Sequence, residues 1–127
     1  MRSANVYIGT YPGQKEGFQG YGVKLISDDG ETLIEFTGEC ACRPGSAYPI
    51  LKGLIQIMSR LDEPTAITLH TDSAYICNSI QRQYVQKWQA NGWMQANGKK
   101  ASFSKTWQKV LELTAEKGHK LYATKND

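Results

Sequence analysis

Cysteine is scarce in this sequence, and the three present, at positions 40, 42 and 77, form an odd set. That count excludes a framework of paired disulfides and fits a reducing setting, so an intracellular, cytoplasmic protein is expected. Long apolar runs are absent: none approaches the roughly 20 residues a membrane-spanning helix needs, and no membrane partner is expected. The opening residues, MRSANVYIG, lack the apolar core of a secretory signal. Internal repeats, low-complexity tracts and linkers are also missing, so residues 1–127 read as one domain. Histidine is limited to two isolated positions, 70 and 119, for which packing or surface roles are the expectation.

Acidic residues are scarce in the last third only. Residues 1–80 carry six Lys/Arg against nine Asp/Glu, a balance of −3, whereas residues 81–127 carry nine against three, a balance of +6. A basic C-terminal third suits a polyanionic partner such as nucleic acid. A solvated lysine-rich helix face accounts for the same charge.

What is present has a clear order. Residues 6–10 predict a short strand. Two extended stretches then flank Asp28-Asp29-Gly30, a hairpin signal because Asp-Gly readily takes positive φ. Ser46 is a candidate N-cap for a helix whose stripe is Ile50, Leu51, Leu54, Ile55, Met58 and Leu61, ended by Asp-Glu-Pro at 62–64. The run 66–70 predicts a central strand that passes at once into a helix over 73–80. A short helix stopped by Asn91-Gly92 follows, then a basic loop. An amphipathic helix comes next, with Ser104 as its cap and Gly118 as its stop. Residues 119–127 read as a last strand. The order β-β-β-α-β-α-α-α-β implies an α/β fold, a mixed sheet covered by helices.

The segments TDSAYI at 71–76, YVQKWQANGW at 84–93, TWQKV at 106–110 and GYGVKL at 20–25 resemble the ribonuclease HI family. The likeness covers nearly the whole chain. It implies an RNase H-like fold, with a mixed five-stranded sheet built from a three-stranded antiparallel part plus parallel strands. Family members cut RNA in RNA–DNA hybrids with two divalent metal ions, and such a pair needs a cluster of carboxylates. The family pattern supplies four acids. Here the first falls on Gly9, Thr10 or Tyr11, and the second on Ile50 after Pro49. The third is Asp72. The fourth lies on a final helix beyond the last strand, which this sequence lacks before it ends at Asp127. Glu35, Glu39 and Asp127 are the acids weighed as replacements. A lone carboxylate can hold a hydrated Mg²⁺ weakly but cannot clamp two ions, so no cofactor is expected and Mg²⁺ only if the domain is active.

Asp72 is thus the lone catalytic or metal-binding remnant; capping of the following helix, work that Ser73 can share, explains it as well. The resemblance also implies a hybrid-gripping protrusion, with Lys87, Trp88, Asn91, Trp93, Lys99 and Lys100 as its nucleic-acid-binding residues. Aromatic planes beside cations suit a nucleic-acid backbone. Tyr84 and Trp88, four residues apart, instead fit helix packing. Arg43 and Ser46 fall where the family meets a substrate phosphate near a helix N-terminus. Three functions are therefore in view. The first is a catalytically inactive module for hybrid or duplex nucleic acid. The second is a protein-interaction or homo-oligomerisation domain whose partner covers the place of the missing helix. The third is an active ribonuclease with a rearranged acidic site.

Overall fold

The structure, a computed structural model, describes residues 2–95 and 97–125. Asp127 lies outside the described residues. The elements run β1 (Arg2–Pro12), β2 (Phe18–Ser27), β3 (Thr32–Ala41), α1 (Tyr48–Arg60), β4 (Thr65–Thr71), α2 (Ala74–Gln81), α3 (Tyr84–Ala90), α4 (Ser104–Lys117) and β5 (Lys120–Lys125). The expected order of elements is the observed one. The sheet order is β3-β2-β1-β4-β5, antiparallel across the first three strands and parallel from β1 to β4 and from β4 to β5. β1 is longer than its apolar core predicts because it pairs along both edges, through Pro12 with β2 and from Arg2 with β4.

Alternation sorts the strand residues onto two faces. Val6, Ile8, Tyr21, Val23, Leu25, Ile67 and Leu69 point to one face and are buried. They form a single cluster with Leu51, Leu54, Ile57 and Met58 of α1, Ile76 of α2, Val85 of α3 and Trp107 of α4. α1 sits so close to the sheet that a Cβ on Gly53 would lie 2.8 Å from Val23. The other face carries Asn5, Tyr7, Gly9, Gly22, Lys24, Thr68, His70 and Tyr122. Among these, Tyr7 is 38% and Tyr122 52% exposed. No described helix covers it.

Three expected caps are corrected. α1 begins one residue later than Ser46 requires, with Ala47 as its N-cap and Pro49 in its first turn. Ser46 instead accepts the Tyr48 N–H at 3.1 Å, bracing the approach to the helix. Ser104 lies inside α4 and is buried; Phe103 is the N-cap, in the left-handed region at φ 56°. The α2 cap is Ser73, which accepts the Ile76 N–H at 3.3 Å. Asp72 therefore does not cap α2. Its neighbour, with the shorter side chain and extended backbone, takes that role.

Candidate functional site

An open groove of about 790 Å³ lies where three helices begin. Its walls are the β3–α1 loop from Cys42 to Tyr48, the α2 start at Ser73 and Tyr75, and the α4 entry at Ser102 and Phe103. The positive ends of the α1, α2 and α4 dipoles meet there, and Arg43 adds a full charge at the rim. Such a groove favours an anion.

The floor is aromatic and held from below. Phe103 stacks toward Tyr48, with ring centroids 6.3 Å apart, and tilts against Tyr75 at 6.2 Å. Trp107 donates its indole N–H to the Tyr75 hydroxyl at 2.9 Å, and that hydroxyl donates to the Ser102 carbonyl at 3.3 Å. Burial pushes the Tyr75 phenol above its ordinary value, against a smaller lowering by the Trp107 hydrogen bond. It stays protonated at neutral pH and keeps its donor role. Lys52 lies over the Tyr48 ring at 5.9 Å, and with Lys105 it lines a second cleft on the far side of that ring. The left-handed backbone at Phe103 is a strained state for a bulky residue, fixed here by the aromatic packing around it.

Of the residues read from the sequence, Arg43 and Ser46 come together in this groove. Trp88 supports it indirectly. It is half-buried, and its ring stacks on Tyr75 at 6.5 Å and tilts against Tyr84 at 6.3 Å. Lys87, Asn91, Lys99 and Lys100 are exposed on a separate protrusion. Lys87 lies over the Tyr84 ring at 5.5 Å. Asn91 closes α3 by donating from Nδ2 to the Met94 carbonyl at 3.1 Å. Trp93 is half-buried with φ 65°, and its carbonyl accepts the Ala101 N–H at 2.8 Å, tying the base of the protrusion to the groove wall. Tyr48, Tyr75, Phe103, Lys52 and Lys105 were not read as site residues. They come from three separate elements, and only the fold brings them together.

Asp72 is exposed at the end of β4, beside the groove but outside its walls. Tyr7 of β1 is the partner of His70, and continuing that register by two residues brings Gly9 alongside Asp72. Of the three first-acid candidates, Gly9 therefore shares the Asp72 face. Ile50 is 3% exposed and packs in the core. Glu35 and Glu39 lie on β3, with β2 and β1 between them and the strand that ends at Asp72. Among the described residues no three His, Cys, Asp or Glu side chains gather closely enough to hold a metal ion. The donors described do not fit a two-metal centre, which needs bridging carboxylates.

A family model for RNase H matches residues 14–125. The chain belongs to the RNase H family. It is 33% identical over 95 residues to a ribonuclease H of Chlorobium phaeovibrioides, covering 75% of this chain and 63% of that one. Ribonuclease HI of Synechocystis is 29% identical over 111 residues, 87% of this chain and 68% of that protein. A third relative, ribonuclease H of Caldicellulosiruptor saccharolyticus, is 39% identical over 63 residues, half of this chain and 43% of its own length. Among solved structures, a foamy viral protease-reverse transcriptase in complex with dsDNA superposes with a TM-score of 0.75 at 13% identity, over 99% of this chain and 82% of that one. LC11-RNase H1 in complex with RNA/DNA hybrid gives 0.63 at 16% identity, over 97% and 84%. At such identities the likeness speaks for the RNase H-like fold.

Proposed function

We propose that this domain binds nucleic acid, an RNA–DNA hybrid or a duplex, in the groove of convergent helix starts, and does not cut it. One observation carries the reading. The groove joins Arg43 to three helix starts, while the positions expected to carry acids hold Gly9, a buried Ile50 and Asp72 alone. Arg43 and the helix dipoles would take backbone phosphates, and the basic protrusion would follow the strand beyond them. The relatives named as ribonucleases and the neighbour seen with a hybrid support the class of partner. Three unpaired thiols support a place inside the cell, in the cytoplasm.

A fluorescently labelled hybrid titrated across a salt series tests this. Binding should weaken steeply with salt, and Arg43→Ala should reduce the slope of log affinity on log salt by roughly one. Neither Mg²⁺ nor Mn²⁺ should produce cleavage. Cleavage that vanishes in Asp72→Asn would establish the active enzyme instead.

A second reading, a protein-interaction domain, is favoured by the uncovered sheet face. Gly9 and Gly22 are directly paired there, and a Cβ on either would meet nothing within 4 Å. Paired glycines without a steric reason inside the chain mark a place where another surface comes close. Self-association in sedimentation, lost when Gly22 is replaced by a bulky residue, would support it.

A further inference from the structure

Cys40 and Cys42 stand at the root of the groove. Cys40 is the last buried residue of β3, and Cys42, half-buried, lines the groove one residue before Arg43. Their sulfurs are 3.9 Å apart, in thiol–thiol contact. A third observation joins them to the binding loop: the Cys42 N–H is held by the Gly17 carbonyl at 3.0 Å, and this anchor sets where the chain leaves the sheet.

We propose that Cys40 and Cys42 form a reversible dithiol–disulfide pair whose oxidation displaces the Arg43 loop and weakens nucleic-acid binding. The inference rests on the nucleic-acid reading of the groove. Two residues of extended chain span roughly 6.7 Å, at the upper edge of the spacing a disulfide tolerates. Closing the bond therefore draws Cys42 back toward Cys40 and bends the chain at Ala41. The bend strains the Cys42–Gly17 hydrogen bond, and Arg43 moves with its neighbour. A bond made under such strain belongs to the easily reduced class, which suits a switch rather than a staple.

The chemistry needs an oxidant, and a low-molecular-weight disulfide supplies it. Cys42, the more accessible sulfur, attacks one sulfur of that disulfide. A mixed disulfide forms and one small thiol leaves. Cys40 then attacks the Cys42 sulfur, the internal bond forms, and the second small thiol leaves with the Cys40 proton. Two protein thiols are oxidised and one small disulfide is reduced to two thiols. Burial, with the Cys42 contact adding to it, pushes the Cys40 thiol up to about 11, so it is the resolving partner and not the first to react. Cys77, on the buried face of α2, has no cysteine beside it and stays a thiol.

The test uses the whole chain, first reduced and titrated with labelled RNA–DNA hybrid, then treated with glutathione disulfide. Mass spectrometry should find two hydrogens lost, a cross-linked 40–42 peptide and Cys77 free. Hybrid affinity should fall roughly tenfold, the weight of one charge-assisted contact, and dithiothreitol should restore it. Cys40→Ala should stop at the glutathione adduct on Cys42. Wild-type protein that keeps three thiols, or stops at mixed adducts, overturns the pair. A disulfide that forms with affinity unchanged overturns the switch alone. Reduced protein that binds no hybrid overturns the functional reading, and the switch falls with it.

Discussion

The two faces of the sheet differ in kind. On the helix side, Gly53 exists because there is no room: an added Cβ would press on Val23, and Tyr21 and Ile8 close the remaining space. On the other side, Gly9 and Gly22 have room to spare, and the aromatic rings around them stand in solvent or lean on one another. Tyr7 stacks on His70 with centroids 4.3 Å apart, and His70 exchanges a 2.8 Å hydrogen bond with Asn5. The difference bears on function because the positions expected to carry acids are split between the faces. Ile50 has been absorbed into the packed side, while Gly9 and Asp72 belong to the open side. A centre that needs carboxylates from both finds a buried Ile50 at one of those positions.

The largest test of this contrast is Ile50→Glu. If residue 50 truly belongs to the packed face, a carboxylate there is buried without a partner, and stability should fall by about 3–5 kcal/mol. Chemical denaturation at neutral pH measures it. A near-neutral result would show that the start of α1 opens toward the groove and that an acid at this position can be accommodated.

Much of this arrangement is legible in the sequence. The apolar run ending in His70-Thr71-Asp72-Ser73 announced a strand feeding a helix, because a period-two pattern gave way at once to a helical one. What could not be read were features created by tertiary contact. Gln83, Trp93 and Phe103 all take positive φ without being glycine, and nothing in their residue type signals it. The caps of α3 and α4 were therefore hidden, and Ser104 drew attention that belonged to Phe103. The aromatic floor was hidden for a related reason: Tyr48, Tyr75 and Phe103 each look like ordinary packing residues until three helix starts are brought together. Asp72 was legible as a residue but not as a neighbour, since only the β1–β4 register reveals that Gly9 stands beside it.

A smaller effect should separate the faces by pH. His119, 4% exposed, accepts the Thr65 N–H on Nδ1 at 3.0 Å, and burial holds its pKa below the ordinary 6.5, with Lys117 adding to the lowering. His70 on the open face is lowered by burial alone. For both, the folded state prefers the neutral ring, so the unfolded chain binds more protons. Their contribution is fully present above about pH 6.5 and is lost as the pH falls below it. Melting temperature should therefore drop between pH 7.5 and 5. His119→Asn, which retains an acceptor for Thr65 but does not titrate, should flatten that drop more than His70→Asn does. Equal flattening would mean that the open face shields His70 as fully as the core shields His119.

The smallest effect is the most discriminating. Gly22→Ala places a methyl where nothing lies within 4 Å, and it removes the backbone freedom that glycine carries into the unfolded chain. In an isolated domain with a solvent-facing trough, the substitution should raise stability by about 0.5–1 kcal/mol. The paired Gly9→Ala should do the same on the neighbouring strand. If a second copy or another polypeptide seats itself in the trough, the sign turns with concentration. The variant would then gain stability when dilute and lose it, relative to the parent, when concentrated, because the methyls occupy space the partner uses. Thermal unfolding of both proteins over a hundredfold range of concentration reads this directly. A gain that holds across the range leaves the open face free of any copy of this chain, and the groove on the packed side as the surface where binding has to be sought.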